Sequence, residues 1–346
     1  VALRCVLDHH ELHRHQVRTR RGLHRGGNAF ADHVVLDGAG EVEPLSNSAG
    51  RVEDVIGRQV EQGHAATVRR DNMTAVMESS TPNQSALDDL VRLLDLEAIE
   101  VNIFRGNSPD ENRQRVFGGQ VAGQALVAAA RTIDERGRLV HSLHAYFLRP
   151  GDPTVPILYE VDRIRDGRSF STRRVVAIQH GRAIFNLQAS FHDDEPGPDH
   201  QLAMPDGMGD PLDLADFHTR MAPYAEQIGD WYHRPRPIDL RYVDGDPTSR
   251  RGQSTTRQHV WLRADGVLPD DPVLHACVVT YASDMTLLDT TLLPFGLDWD
   301  TPGMQMASVD HAMWFHRPFR ADDWLLYDQS AVSTSSARGM AQGSIF

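Results

Sequence analysis

Lysine is absent from the 346 residues: all 35 basic side chains are arginine, against 48 acidic ones, for a formal net charge of −13. That balance excludes nucleic-acid binding through a general excess of positive charge, because phosphate backbones are held mainly by surplus Lys and Arg. An anionic small molecule stays compatible wherever arginines gather locally. The arginine-only usage reads as a mark of GC-rich coding rather than a demand for guanidinium. Cysteine is nearly absent too. Cys5 and Cys277 are too few and too far apart for a disulfide framework, so a reducing, cytoplasmic setting is expected. Long apolar runs are missing as well. The stretch from Ala122 to Ala130 is interrupted by Gln124, and nothing reaches the roughly 18 to 20 apolar residues of a membrane span. VALRCVLDHH carries charge and histidine where a signal peptide needs an apolar segment, so none is predicted.

What is present divides unevenly. Residues 1–76 crowd His and Arg in HHELHRHQVRTRRGLHRGG and then give only brief apolar runs with no sustained period, so little packed structure is expected there. HHELHRH lacks the H-E-x-x-H spacing that places two histidines one helical turn apart, and no metal site is expected. With no methionine before Met73, the stretch reads as an upstream extension, with Met73 or Met77 as the expected natural start. The first ordered signal is SALDDLVRLLDL. Ser85 with Asp88 suggests a capping-box start, and Leu87, Leu90, Val91 and Leu94 follow at helical spacing.

A repeat follows. GGQVAGQALVAAA, from Gly118, has the small residues of a helix buried in a concave surface. HSLHAYFLRPG, PILYEVDRI, RSFSTRRVVAIQ and RAIFNLQASFH are then separated by Pro-Gly, Asp-Gly and His-Gly punctuation, which predicts a four-strand meander. The plan returns as DDPVLHACVVTYASDMTLLDTTLL, MQMASVDHAMWFHRPF, WLLYDQSAV and SSARGMAQGSIF. Arg149-Pro150 recurs as Arg317-Pro318, and Ile157-Leu158-Tyr159 as Leu325-Leu326-Tyr327, both 168 residues later. The second unit has no counterpart of RAIFNLQASFH after Phe346. The expectation is a second repeat without its last strand, leaving the strand that ends at Phe346 with an unpaired edge.

RVFGGQVAGQAL, LVHSLHAYFLRPGDP, RDGRSFSTRRV, YASDMTLL, SVDHAMWFHRPF, WLLY and SSARG together resemble the acyl-CoA thioesterase II family over about residues 85–346. The resemblance implies an α+β double hotdog: two tandem repeats of helix plus antiparallel sheet, sharing one continuous sheet. Its expected bounds are residues 85–200 and 236–346, joined by 201–235. It implies hydrolysis of acyl-CoA to a fatty acid and coenzyme A with no cofactor and no metal, by a chain that forms a homo-oligomer. It also implies an Asp, a Thr or Ser, and a Gln that orient a water. YASDMTLL places the Asp at Asp284, expected by the start of the second central helix, and MASVDHAMWFH places the hydroxyl at Ser308. The Gln falls on the strand the second repeat lacks, at a position comparable with Gln188 of the first repeat, and no catalytic role is carried onto Gln188.

The residues also admit plainer readings. Asp284 reads equally as a helix cap and Ser308 as an ordinary strand serine. His144, His311 and His316 read as structural, since no G-x-S-x-G elbow accompanies them. Arg163, Arg173 and Arg317 suit either coenzyme A phosphates or salt bridges within the sheet. Two rival functions remain: acyl-CoA binding without turnover, and a hotdog hydratase, which needs an Asp and His pair near a helix start where YASDMTLL has no His.

Overall fold

Glycine sets the distance between the two central helices. The computed structural model describes residues 2–7, 82–109, 114–133, 137–299 and 301–346. Helix α1 (Pro82–Leu94) precedes the central pair, α2 (Gly118–Ala130) and α3 (Pro272–Ser283). A Cβ on Gly119 would lie 2.3 Å from the Tyr281 carbonyl oxygen, and one on Gly123 would lie 3.3 Å from that of Cys277. The pairing of 119 with 281 and 123 with 277 makes the helices antiparallel, close enough for backbone to meet backbone. α2 is buried from Gly119 through Ala129, as its small residues predict.

α1 starts earlier than expected. Pro82 opens it, where a missing N–H costs nothing and the ring's fixed φ suits the first turn. Ser85 therefore lies inside the helix and does not cap it, while Asp88 accepts from Gln84 Nε2 at 2.9 Å. The predicted apolar stripe holds: Leu87, Leu90 and Leu94 are buried.

The helices lie on an antiparallel sheet. Its first half comprises β2 (Glu97–Glu100), β3 (Ile103–Gly106), β4 (Leu139–Phe147), β5 (Ile157–Asp166), β6 (Phe170–Gln179) and β7 (Arg182–His192). Its second half comprises β8 (Ile238–Tyr242), β9 (Arg257–Ala264), β10 (Met306–Trp314), β11 (Leu325–Ser335) and β12 (Arg338–Ile345). With β1 (Ala2–Leu7) the order across twelve strands is β2-β3-β5-β6-β7-β4-β10-β1-β12-β11-β9-β8. The halves join where β4 pairs with β10, Ala145 opposite His311. Each half also carries an outer hairpin, β2–β3 and β8–β9, not anticipated from sequence. β2 is exposed along its length and offers no apolar alternation to read. No helix among the described residues is long and apolar enough to cross a membrane.

β1 corrects two expectations. Of residues 1–76, only 2–7 are described, and they form a strand rather than an unpacked leader; HHELHRH, Met73 and Met77 lie outside the described residues. The inner edge of β12 is not unpaired either. β1 runs antiparallel between β10 and β12, so β12 is paired on both sides.

The register of β1 matches that of β7 in the first repeat. Gln188 lies opposite Arg174 and His144, and Ala2 lies opposite Gln342 and Ala312, each 168 residues on. The same offset holds for Phe191, opposite Ser171 and Val140, and for Cys5, opposite Gly339 and Ser308. Even the irregularity recurs, between Val140 and Ser142 in β4 and opposite Arg4 and Cys5 in β10. A strand in this slot satisfies two rows of backbone groups that an open sheet would leave as a template for other chains.

Leu3→Pro within this doubly paired strand removes a ladder donor and is expected to lower stability by about 1 kcal/mol or more, read as a fall in Tm of roughly 2–4 °C with earlier aggregation by light scattering. An unchanged melting profile would show that β1 carries none of the sheet's stability.

Candidate active site

Asp284 stands at the end of α3, not at its start as expected. The helix begins at Pro272, where Asp271 caps it by accepting from Val273 N–H at 3.0 Å, and stops at Ser283, leaving Asp284 as C-cap with φ −88° and ψ 0°. A helix C-terminus carries partial negative charge and is a poor place for a carboxylate. The compensation comes from the other repeat. Because α2 runs antiparallel to α3, its N-terminal end meets Asp284, and Gly119 N–H donates to the carboxylate. No side chain caps that end of α2. Gly118 lies closer still, since a Cβ there would fall 2.6 Å from Asp284 Oδ2 and 2.9 Å from the Phe147 ring.

β10 supplies the third contact. Ser308 Oγ donates to Asp284 Oδ1 at 3.0 Å. Two residues that the sequence singled out 24 positions apart are thus brought together, with Gly119 added from a third element. Burial raises the Asp284 carboxyl from 3.8 to about 7, against the lowering pull of Ser308 and Gly119. Asp289, on the short helix α4 (Leu287–Thr290), is also raised to about 7, by burial and then by the nearby charges of Asp298 and Asp284.

The turn after Asp284 is held from behind. Gln329 on β11 is fully buried; its Nε2 donates to Thr286 Oγ1 at 2.5 Å, and its Oε1 accepts from Thr290 Oγ1 at 2.7 Å and Gln258 Nε2 at 3.1 Å. The sequence reading missed this amide. The available signal was a Gln inside the apolar run WLLYDQSAV, at the register where the first repeat has Val161. Tyr327 OH donates to the Ser283 carbonyl at 3.4 Å and fixes the last residue of α3.

The remaining candidates do not converge on the carboxylate. His311 is buried, kept neutral by desolvation that lowers it to about 3, and its Nε2 meets Ser283 Oγ at 2.9 Å. His144 packs edge-on against Trp314, and His316 is exposed. Arg173 is buried against Thr132 and Asp166, Arg317 pairs with Asp199, and Arg163 donates to Asn102 Oδ1 at 3.0 Å. Among the described residues no three His, Cys, Asp or Glu side chains gather to hold a metal.

Gln188 is exposed, while its neighbours Leu187 and Ala189 are buried, so its register faces away from the helices. In the second repeat Ala2 holds the Gln188 register and Leu3 that of Ala189, and neither is Gln or Asn.

The first repeat does not reproduce the site. Val140 stands at the register of Ser308, and Arg173 at that of Ala341. The Arg173 guanidinium fills the space, its Nε donating to Thr132 Oγ1 at 2.8 Å and its Nη2 to Asp166 Oδ1 at 2.6 Å.

Two outcomes test this geometry. Gly118→Ala forces a methyl against Oδ2 and Phe147 and is expected to move the Asp284 titration, followed by NMR of labelled Asp carboxyls, with no comparable effect from Gly197→Ala, where the added methyl meets nothing within 4 Å. The second concerns stability. Between about pH 4 and 7 the folded state keeps a proton on Asp284 that the unfolded chain has released, so this group's contribution to stability falls as pH rises through that window. Asp284→Asn is therefore expected to stabilise the protein at pH 8, on the order of 2–4 kcal/mol at most, and to have little effect at pH 4. Urea unfolding at both values checks the sign, and an equal gain at both would assign the effect to packing.

The family described as acyl-CoA thioesterase matches residues 239–346, and the acyl-CoA thioesterase N-terminal domain matches residues 108–192. The chain is 40% identical over 266 residues to acyl-coenzyme A thioesterase 8 of Homo sapiens, covering 73% of this chain and 82% of that protein. It is 38% identical over 264 residues to acyl-CoA thioesterase 2 of Haemophilus influenzae, covering 75% and 92%. Among solved structures, the acyl-CoA thioesterase II TesB2 from Mycobacterium marinum is 46% identical with a TM-score of 0.61, over 74% of this chain and 91% of that one.

Proposed function

The chain belongs to the acyl-CoA thioesterase family, and on that premise we propose that it hydrolyses acyl-CoA thioesters to a free fatty acid and coenzyme A, with Asp284 as the base that activates water. One observation carries the residue assignment: Ser308 Oγ and Gly119 N–H converge on a buried carboxylate where the two helices meet. A carboxyl poised near pH 7 both takes and returns a proton at neutral pH, which suits a general base. The water oxygen attacks the thioester carbonyl carbon and its proton passes to Asp284. The C–S bond then breaks, and the same proton goes to the departing thiolate. The uncapped first turn of α2 offers backbone N–H groups and positive dipole for the oxyanion.

The hydratase reading finds no support, since His311 meets Ser283 rather than Asp284. Fatty-acid metabolism, a cytoplasmic setting and a homo-oligomer belong to the same proposal. The setting is supported by Cys277, a free and buried thiol.

Thiol release from a medium-chain acyl-CoA is the direct test. Asp284→Asn is expected to lower kcat by about 10²–10⁴-fold, and Ser308→Ala by about tenfold. For the wild type, kcat/KM should rise with pH through about 7 as Asp284 loses its proton, and that acid limb should vanish in Asp284→Asn. Absence of turnover in folded protein would leave the rival reading, binding alone.

A further inference from the structure

The fold collects unpaired positive charge beside the site of an otherwise acidic chain. Two segments are stitched together over Asp284: Val116 N–H donates to the Gly151 carbonyl at 3.0 Å, and Gly118 packs against both Asp284 and Phe147. Arg115 lies three residues before Gly118, and Arg149 two residues after Phe147. Arg115 Nη2 donates to the Met306 carbonyl at 3.2 Å, two residues before Ser308. Arg149 Nη1 donates to the Ala183 carbonyl at 2.6 Å, which places it beside Arg182.

All three arginines are exposed, and none has a carboxylate partner among the described residues. Asp152, on the same loop as Arg149, is already engaged by Thr154 and His180. Several exposed arginines elsewhere sit on acids, Arg92 on Asp89, Arg105 on Glu97, Arg174 on Asp162 and Arg257 on Asp328, while others, such as Arg163 on Asn102 and Arg338, do not. What sets Arg115, Arg149 and Arg182 apart is their place at the rim of the site. With a net charge of −13 the global field repels anions, so guanidiniums left without acids at the rim of one site form a local exception. Arg115 and Arg149 stay anchored by backbone carbonyls while further N–H groups remain for a phosphate.

We propose that Arg115 and Arg149, with Arg182 beside them, form the subsite that receives the phosphate groups of coenzyme A while the thioester lies at Asp284. The assignment rests on the acyl-CoA reading above and adds which residues recognise the nucleotide end. The other arginines considered from sequence, Arg163, Arg173 and Arg317, are already engaged within the fold.

The test is calorimetric titration of the full chain with coenzyme A and, separately, with pantetheine, which lacks the phosphates. Arg115→Gln and Arg149→Gln are each expected to weaken coenzyme A binding about tenfold. The double variant should also lose most of the salt dependence, while Arg174→Gln, remote on β6, leaves affinity unchanged. In turnover, the ratio of kcat/KM for an acyl-CoA to that for the matching acyl-N-acetylcysteamine should fall by a similar factor. Equal affinity of wild type and double variant overturns the proposal, as does wild type that binds pantetheine as tightly as coenzyme A, or that binds no coenzyme A. Arginine-dependent binding with no turnover of either thioester would sustain the subsite and sink the hydrolase reading, so the two fail separately.

Discussion

The close antiparallel contact of α2 and α3 governs the rest of this structure. Glycine at 118, 119 and 123 removes the methyl groups that would hold the helices apart, and the head of one helix thereby meets the foot of the other. A carboxylate at a helix C-terminus is disfavoured twice, by burial and by the dipole of its own helix. Here the Ser308 hydroxyl and the Gly119 amide at the start of the neighbouring helix offset part of that cost. The remaining penalty leaves Asp284 near neutrality, where a carboxyl exchanges protons. On the proposed assignment, reactivity and instability come from one placement, an instance of the general tension between active sites and fold stability.

The duplicated sheet has specialised by substitution at matching registers. The second repeat keeps a small residue, Ala341, and a hydroxyl, Ser308, around its helix end. The first repeat puts a guanidinium and a valine at the equivalent places and satisfies the guanidinium with Thr132 and Asp166. A buried charge with complete partners is tolerated, whereas losing one partner leaves it stranded. One half of the molecule therefore fills this space with a structural pin and the other with the hydroxyl that donates to the buried Asp284 carboxylate.

Much of this was legible in sequence because it rests on local pattern. The meander of the first repeat, its buried helix and the 168-residue offset all follow from alternation, turn residues and small side chains within short windows. Asp284 and Ser308 were legible only through motifs, since nothing local distinguishes them from a cap and a strand serine. What escaped depends on long-range pairing. YASDMTLL carries helix-forming residues on both sides of Asp284, so the break at Ser283 is set by tertiary packing, and the Asp was placed at the wrong end. Gln329 was hidden because a buried amide is acceptable only when partners from other segments meet it, here the turn after Asp284 and β9. ALRCVL, with no periodic stretch around it, gains meaning as a strand only from the slot between β10 and β12.

That slot has a consequence for how the molecule is made. β1 is made before both strands that hold it, β10 and β12, and some three hundred residues of chain separate them. The first half of the sheet can form before β10 and β12 are synthesised, but the centre of the second half must wait for both. Closing a loop of some three hundred residues to seat six is a late and slow event by the logic of contact order. During that interval β10 and β12 each show an open edge, and the growing protein is most open to pairing with the wrong chain.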